Sequence, residues 1–186
     1  MTKIRVQLSP PQREFDENII SCLKEFLKDI NECKWVGREN EAVNTFTLSY
    51  LLKKVKEGTT LNNPGQIGIE VAVPQINHES EIKKNKKQVR KDLVIWKKPM
   101  MTCFDNNKNP VNYPFAILEW KFKGFSKHQR NRDKQFESDV NWLKEYSERH
   151  GILGYAIMVI WTPEKHLLNA VRIFNGEVEE MKELNQ

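Results

Sequence analysis

The sequence predicts an α/β domain in which a central mixed four-stranded sheet is flanked by helices, in the order αβββαβ. Short apolar runs rich in β-branched and aromatic residues indicate buried strands, whereas apolar residues at helical spacing indicate amphipathic helices. The two kinds of segment follow one another in that order along the chain. At 186 residues, the chain is long enough for a substantial core, and we expect a single domain spanning residues 1–186.

The N-terminal third is predicted to be mainly helical. Residues 3–8 alternate between polar and apolar side chains, which favours an edge strand or an ordered arm, and Pro10-Pro11 is expected to break the chain. An amphipathic helix follows, with the apolar stripe Ile19, Leu23, Phe26 and Ile30. A second helix is predicted over residues 39–56, ended by Gly58 and a turn at residues 62–65.

The remaining segments predict the sheet. Strands are expected at residues 67–73, 91–97, 115–122 and 152–161, with a long helix over 130–149 before the last of them. Gly151 is expected to close that helix in the left-handed conformation.

Beyond these strands, Thr162-Pro163 has the pattern of a helix start, with threonine as N-cap. Residues 171–174 followed by Asn175-Gly176 predict a terminal hairpin with a type I′ turn.

Two of the predicted strands carry charge that a buried strand normally avoids. Asp92 opens one strand, and Glu119 and Lys121 lie two residues apart on the other, which places both on one face. A buried carboxylate must neutralise, find a partner or bind a metal. Two carboxylates and a lysine at the ends of adjacent core strands therefore suggest a divalent-metal hydrolytic site, and a buried Asp–Lys or Glu–Lys ion pair without metal is the alternative.

The order of elements, together with Asp92 and the Glu119-Trp120-Lys121 triplet, resembles the PD-(D/E)XK, or restriction-endonuclease-like, nuclease superfamily. In that superfamily an aspartate begins the second core strand and a glutamate-x-lysine lies on the third. The resemblance covers about residues 37–161, with 26 residues between Asp92 and Glu119, and leaves the first helix and the C-terminal hairpin as additions. Lys91 stands where the family has a proline.

The resemblance implies specific roles for these residues. Asp92, Glu119 and the backbone carbonyl of Trp120 would bind Mg²⁺ or Mn²⁺, hard cations that choose oxygen ligands. Lys121 would orient or deprotonate the attacking water and stabilise the charge that grows on phosphorus.

Further residues are candidates for the same site. The sequence places Glu41 on the helix face of Leu48, Leu52 and Val55, which is expected to pack on the sheet, and the superfamily often has a metal- or water-binding glutamate on this helix. Glu39 is predicted to point the opposite way.

Two other side chains could reach the site from neighbouring elements. Glu70, on the preceding strand, could bind the metal or pair with a lysine across the sheet. Gln135 matches a glutamine that touches the site in many relatives, but Asp139 stands where one branch of the superfamily has a tyrosine.

The distribution of basic residues predicts a polyanion as partner. The net charge is +5 and the sequence pI about 9.0, and two basic segments flank the candidate carboxylates. Positive potential attracts phosphate backbones, although each lysine run taken singly is typical of a solvated loop. The expected nucleic-acid contacts are Lys83, Lys84, Lys86, Lys87, Arg130 and Arg132.

Other features narrow the class of protein. The sequence has no apolar run long enough for a transmembrane helix, and its three cysteines form no CxxC pair, so a reduced, cytoplasmic setting is expected. The predicted function is a metal-dependent endonuclease acting on DNA. The alternatives are a catalytically silent nucleic-acid-binding module on the same fold, or an unrelated α/β domain whose acidic pair is structural. The resemblance also makes a homodimer plausible, since many nucleases of this fold pair to cut both strands.

Overall fold

The computed structural model describes residues 7–76, 88–124 and 130–185, with the side chains of Arg130 and Asn185 left aside. The helices are α1 (Pro10–Glu32), α2 (Glu39–Ser49) and α3 (Arg130–His150). The strands are β1 (Ile67–Pro74), β2 (Gln88–Ile95), β3 (Ala116–Lys123), β4 (Leu153–Trp161), β5 (His166–Phe174) and β6 (Glu177–Glu180). Short 3₁₀ turns cover Leu51–Lys54, Pro64–Gln66 and Lys182–Asn185.

The strands form one mixed sheet in the order β1-β2-β3-β4-β5-β6. Strands β3 and β4 are parallel and are joined through α3, while every other neighbouring pair is antiparallel. The predicted α/β class with a mixed sheet and flanking helices is confirmed. The predicted number of four strands is not confirmed, because β5 and β6 extend the sheet beyond β4.

The sheet buries both of its faces, as its apolar strands require. One face packs against α1 and α2 in a core that includes Phe15, Phe26 and Trp120. The other face packs against α3 through Leu143 and Tyr146. The candidate site must therefore open at an end or an edge of the sheet.

Three predicted elements differ from the structure. The helix predicted over residues 39–56 ends at Ser49 and is followed by a 3₁₀ turn. Helix α1 begins at Pro10, because proline without an amide hydrogen is tolerated in the first turn and the Ser9 amide donates to the Gln12 side chain. Thr162 starts no helix: its hydroxyl accepts the Lys165 amide, and this tight turn leads into β5.

Other local expectations are confirmed. Gly151 has φ +62° after α3, and Asn175 and Gly176 both have positive φ in the turn between β5 and β6. The arm or strand expected at residues 3–8 falls largely on residues 1–6, outside the described part of the chain. In the described ranges no helix is both long and apolar enough to cross a membrane.

Candidate active site

Strands β2 and β3 separate partway along their length, and the candidate residues lie where they part. Their ladder consists of three pairs, ending at Leu93 opposite Leu118. Strand β2 continues toward its N-terminus paired with β1, and β3 continues toward its C-terminus paired with β4. Asp92 and Glu119 are the first residues beyond the last pair. They therefore lie at the point where β2 and β3 separate, which we call the fork.

The side-chain alternation of β2 breaks at Asp92. Leu93 belongs to the core under α1 and α2, whereas Lys91, two residues away, contacts Trp142 of α3 on the opposite face. Asp92 and Glu70 lie between the β1–β2 pairs Ile69–Leu93 and Val71–Lys91 and are not themselves paired, and Glu70 has φ +55°. A non-glycine residue in the left-handed region costs of order 1–3 kcal/mol and is typical of functional sites. This local kink directs the Asp92 carboxylate to the side of α2.

The Asp92 carboxylate ties the two arms of the fork together. Its Oδ2 accepts the backbone amide of Trp120 at 2.7 Å. The bond replaces a ladder hydrogen bond that the separated strands no longer make, so the Trp120 amide is satisfied as a buried donor must be. It uses one of the two carboxylate oxygens.

Lys121 is anchored at three points in the fork. Its Nζ donates to the Trp120 carbonyl at 2.7 Å and lies 3.0 Å from Oδ2 of Asp139 and 3.6 Å from Oε1 of Glu39. Burial lowers the pKa of Lys121, but the nearby carboxylates of Asp139, Glu39 and Asp92 outweigh it and hold the pKa above its ordinary value. The side chain is therefore a fixed ammonium at neutral pH. The Trp120 carbonyl, an expected metal ligand, here accepts a hydrogen bond from it.

Glu119 is buried on the α3 side of the fork. Its Oε1 lies 2.5 Å from Nζ of Lys91, and that ammonium in turn sits 3.6 Å from the centre of the Trp142 ring. Burial raises the pKa of Glu119 to about 8 against the opposing effect of Lys91, and Asp92 and Asp139 raise it further. A buried Glu–Lys pair is thus present, with Lys91 as the partner of Glu119 and not Lys121.

A cavity of about 480 Å³ opens on the α2 side of the fork. Asp92 and Glu70 line it from the sheet, and Glu39, Arg38 and Arg132 line it from the helices, together with Gly37, Asn40, Val43 and Phe122. Neither Glu119 nor Lys121 is part of its wall. The cavity is lined by three carboxylates and two guanidinium groups, a mixture suited to both cations and phosphates.

Helix α2 brings Glu39, not Glu41, to this cavity. The buried residues of α2 are Ala42, Val43, Phe46 and Thr47, so Glu39 lies one turn before the packing face. Oε2 of Glu41 accepts the Arg38 amide at 2.7 Å and serves the helix N-terminus. The expectation failed because Leu48 lies off the buried face of α2 and is exposed, and because Leu52 follows the end of α2 at Ser49 in a 3₁₀ turn.

Glu39 connects the cavity to the first turn of α3. Its Oε2 lies 3.4 Å from Nη1 of Arg132, which also donates to Oε1 of Gln135 at 3.1 Å. Burial raises the pKa of Glu39, an effect that Lys121 opposes and Asp92 reinforces. Gln135 is itself exposed and reaches the site only through Arg132.

The other predicted residues lie farther from this arrangement. Glu70 lines the cavity, and its carboxylate is 3.6 Å from Arg90 in an exposed pair. The predicted nucleic-acid contacts Lys83, Lys84, Lys86 and Lys87, and the side chain of Arg130, lie outside the described residues. Of that group, Arg132 is the one that the structure places in the cavity wall.

The residues of the fork fit a hard divalent cation held by few protein ligands. In the described part of the chain, no three His, Cys, Asp or Glu side chains converge closely enough to bind one ion. Mg²⁺ usually takes only one or two carboxylates and keeps water and phosphate in its other positions. Burial raises the pKa of Glu119 and of Glu39, and a cation bound beside either carboxyl would favour its ionised form. Asp92 with Glu119 or Glu39 would hold such an ion.

Sequence reasoning missed three residues that the fork depends on. In the sequence, Lys91 and Asp139 only marked positions where the chain departs from the family pattern. In the structure, Lys91 is the closest charged partner of Glu119, and Asp139 is the closest charged partner of Lys121. Glu39 could have been found from its spacing to Ala42, Val43 and Phe46, three, four and seven residues later.

Comparison with known proteins does not add to this description. No protein-family model matches the chain, and no curated protein is significantly similar to it in sequence.

Proposed function

We propose that this chain is a metal-dependent endonuclease of the PD-(D/E)XK superfamily, which hydrolyses phosphodiester bonds in DNA. The observation that carries the proposal is the fork itself. Asp92 of β2 and the Glu119-Trp120-Lys121 triplet of β3 meet where the two strands part, and the Asp92–Trp120 hydrogen bond joins them. The antiparallel β1-β2-β3 unit followed by α3 and a parallel β4 is compatible with the αβββαβ core that the resemblance implies.

Each charged group of the site has a distinct task in this proposal. A divalent cation bound through Asp92 together with Glu119 or Glu39 would act as a Lewis acid on the phosphate. Arg38 and Arg132, in the cavity wall, would hold the negatively charged backbone of the substrate. Water attacks phosphorus, the bond to the leaving oxygen breaks, and the products are a phosphate monoester and a hydroxyl group.

Lys121 acts as a fixed positive charge and not as the base. Its pKa is held above the ordinary lysine value, so an ammonium, which has no lone pair to accept a proton, is the species at neutral pH. A preorganised donor of this kind stabilises the charge that develops on the phosphate in the transition state.

A catalytically silent nucleic-acid-binding module is the second candidate, and one observation favours it. Glu119 is paired with Lys91, and Lys121 is held by Asp139 and the Trp120 carbonyl, so both groups have partners within the protein. A site whose charges are already balanced internally can be stable without metal or catalysis.

Cleavage of supercoiled plasmid DNA in the presence of Mg²⁺ distinguishes the two candidates. We expect the wild-type protein to nick or linearise the plasmid and EDTA to stop it. Lys121→Ala should lower the rate by about 10²- to 10³-fold, the usual cost of removing one preorganised donor. DNA binding without cleavage under any divalent cation would instead establish the silent module.

Calorimetric titration with Mn²⁺ separates metal binding from chemistry. Asp92→Ala should lose both cleavage and metal affinity, whereas Lys121→Ala should lose cleavage and keep or improve metal affinity, because a cation repels the metal. Glu39→Gln should weaken cleavage, and Glu41→Gln, two residues away on the same helix, is the matched control with no effect. Equal effects of the two glutamine variants would contradict the placement of Glu39 at the site.

A further inference from the structure

The ion pair between Glu39 and Arg132 is part of the wall of the candidate active-site cavity. Oε2 of Glu39 and Nη1 of Arg132 are 3.4 Å apart, and both residues line the cavity together with Asp92. Glu39 is the first residue of α2 and Arg132 lies in the first turn of α3, so the pair joins two helices across the cavity. A charge-assisted N–H···O bond normally measures about 2.7–2.9 Å, so this contact is long.

The second cation beside Glu39 is held by other groups. Nζ of Lys121 lies 3.6 Å from Oε1 of Glu39, but only 3.0 Å from Oδ2 of Asp139 and 2.7 Å from the Trp120 carbonyl. The Lys121 side chain is 13% exposed, whereas that of Arg132 is 43% exposed. Of the two cations, Arg132 is therefore the one with room to change its partner.

The other buried pair of the fork shows what a closed ion pair looks like. Oε1 of Glu119 and Nζ of Lys91 are 2.5 Å apart, and their side chains are 5% and 4% exposed. Neither residue lines the cavity. The Glu39–Arg132 pair is longer, is reached by solvent and has both partners in the cavity wall, so a ligand in the cavity can open it.

The ligands of the proposed reaction offer each member of the pair a stronger contact. A carboxylate binds a hard divalent cation, and a guanidinium binds a phosphate through two parallel N–H···O bonds. The contacts of Arg132 to Glu39 and Gln135 both use Nη1, and neither Nε nor Nη2 has a hydrogen bond to a described residue. Two donors of the guanidinium are thus available to a phosphate.

We propose that the Glu39–Arg132 pair is a partner-exchange switch that couples metal binding to substrate binding. In the substrate-free protein the two side chains neutralise each other. When both ligands are present, Arg132 turns to a phosphate of the DNA and Glu39 turns to the divalent cation that Asp92 also holds. The inference rests on the proposed function and adds the regulation of that same site.

The exchange makes the two ligands bind cooperatively. A metal ion that takes Glu39 by itself leaves Arg132 without its counter-charge, and a phosphate that takes Arg132 by itself leaves Glu39 without its own. The first ligand therefore has to open the pair, whereas the second finds it open. Each ligand should raise the affinity for the other by the same factor, because a coupling free energy is reciprocal.

Calorimetric titration with Mn²⁺ in the absence of DNA tests whether the pair restrains Glu39. Arg132→Gln should raise the Mn²⁺ affinity about fivefold or more, the effect of one unit charge about 4 Å away even in water. Arg38→Gln removes the same charge from the same wall but from a side chain that forms no ion pair with Glu39 among the described residues, and it should raise the affinity less. An unchanged affinity in Arg132→Gln, an equal rise in Arg38→Gln, or the same rise when Glu39→Gln is also present would overturn the switch.

Fluorescence anisotropy of a short labelled DNA duplex, in EDTA and in saturating Ca²⁺, measures the coupling itself. Ca²⁺ takes oxygen ligands as Mg²⁺ does, and we expect it to raise the DNA affinity of the wild type by about 5- to 150-fold. Glu39→Gln and Arg132→Gln should each lower this factor, and the double variant should lower it no further than either single change, because both changes abolish one exchange. A factor that is equal in all four proteins, or losses that add up in the double variant, would overturn the switch.

The switch and the proposed function can fail separately. A protein in which Arg132→Gln raises the Mn²⁺ affinity only when Glu39 is present, and which never cleaves plasmid DNA, contradicts the endonuclease and keeps the switch. A protein that cleaves plasmid with Mg²⁺, and whose Mn²⁺ affinity is unchanged by Arg132→Gln, contradicts the switch and keeps the endonuclease.

Discussion

Two buried acid–base clusters lie on the same sheet, one under α1 and one at the fork between β2 and β3. Under α1, Asp16 accepts hydrogen bonds from the Tyr155 hydroxyl and from the guanidinium of Arg172, which also contacts Glu179. At the fork, Lys91 pairs with Glu119. The α1 cluster lies within continuous β4-β5-β6 pairing, whereas the fork interrupts the β2-β3 ladder and borders the 480 Å³ cavity.

The difference shows that a buried ion pair alone does not identify a functional site. Each cluster buries a carboxylate beside a cation, so the charges alone do not distinguish a functional site from a structural ion pair. The fork differs in its surroundings: unpaired strand ends, the positive φ of Glu70 and direct access to a polar cavity. These features cost stability, and they place charged groups within reach of a ligand. The α1 cluster instead joins α1 to the sheet.

The largest expected contrast concerns stability. Asp16→Ala leaves Arg172 buried beside Glu179 alone, and removing one partner of a buried pair typically costs about 3 kcal/mol or more of unfolding free energy. Urea denaturation should show this loss, while Mn²⁺ affinity remains unchanged. Glu17→Ala, an exposed neighbour on α1, is the control and should stay within about 0.5 kcal/mol of wild type. A change of Mn²⁺ affinity in folded Asp16→Ala would mean that the two clusters are coupled.

A second contrast concerns pH. Because the folded-state pKa of Glu119 is raised from 4.5 to about 8, its contribution to stability is fully present below about pH 4.5 and is lost as pH rises toward 8. In EDTA, the unfolding free energy of wild type relative to Glu119→Gln should therefore fall across this window, by up to about 1.4 kcal/mol per pH unit. Denaturation of both proteins at several pH values provides the measurement, and parallel profiles would contradict it.

The smallest expected effect concerns Lys91. Lys91→Met keeps an apolar side chain against Trp142 but removes the cation that competes with metal for Glu119. A unit charge about 4 Å from another contributes about 1 kcal/mol even in water, so Mn²⁺ affinity should rise at least about fivefold. Lys53→Met, whose ammonium lies over Tyr50, is the matched control and should leave the affinity unchanged. If Lys91→Met weakens Mn²⁺ binding, Lys91 supports the metal site instead of competing with it.

Much of the fold could be predicted because its signals are local. The β-branched runs, the αL position of Gly151 and the Asn175-Gly176 turn depend on a few neighbouring residues, and the structure has them as predicted. The prediction failed where a local signal was ambiguous. The Thr162-Pro163 sequence fits both a helix start and a tight turn. The structure has the turn, because this segment connects β4 to its antiparallel neighbour β5.

The candidate site likewise has features that the sequence determined and others that depend on the tertiary structure. The sequence alone determined that charged residues stand at Asp92, Glu119 and Lys121 on two core strands, since strand periodicity is local. Only the tertiary structure decided which groups they meet. The packing face of α2 selects Glu39, the kink at Asp92 turns Lys91 toward Glu119, and α3 brings Asp139 to Lys121. Side-chain pairing depends on helix phase and strand register, which are set by packing between segments far apart in the chain.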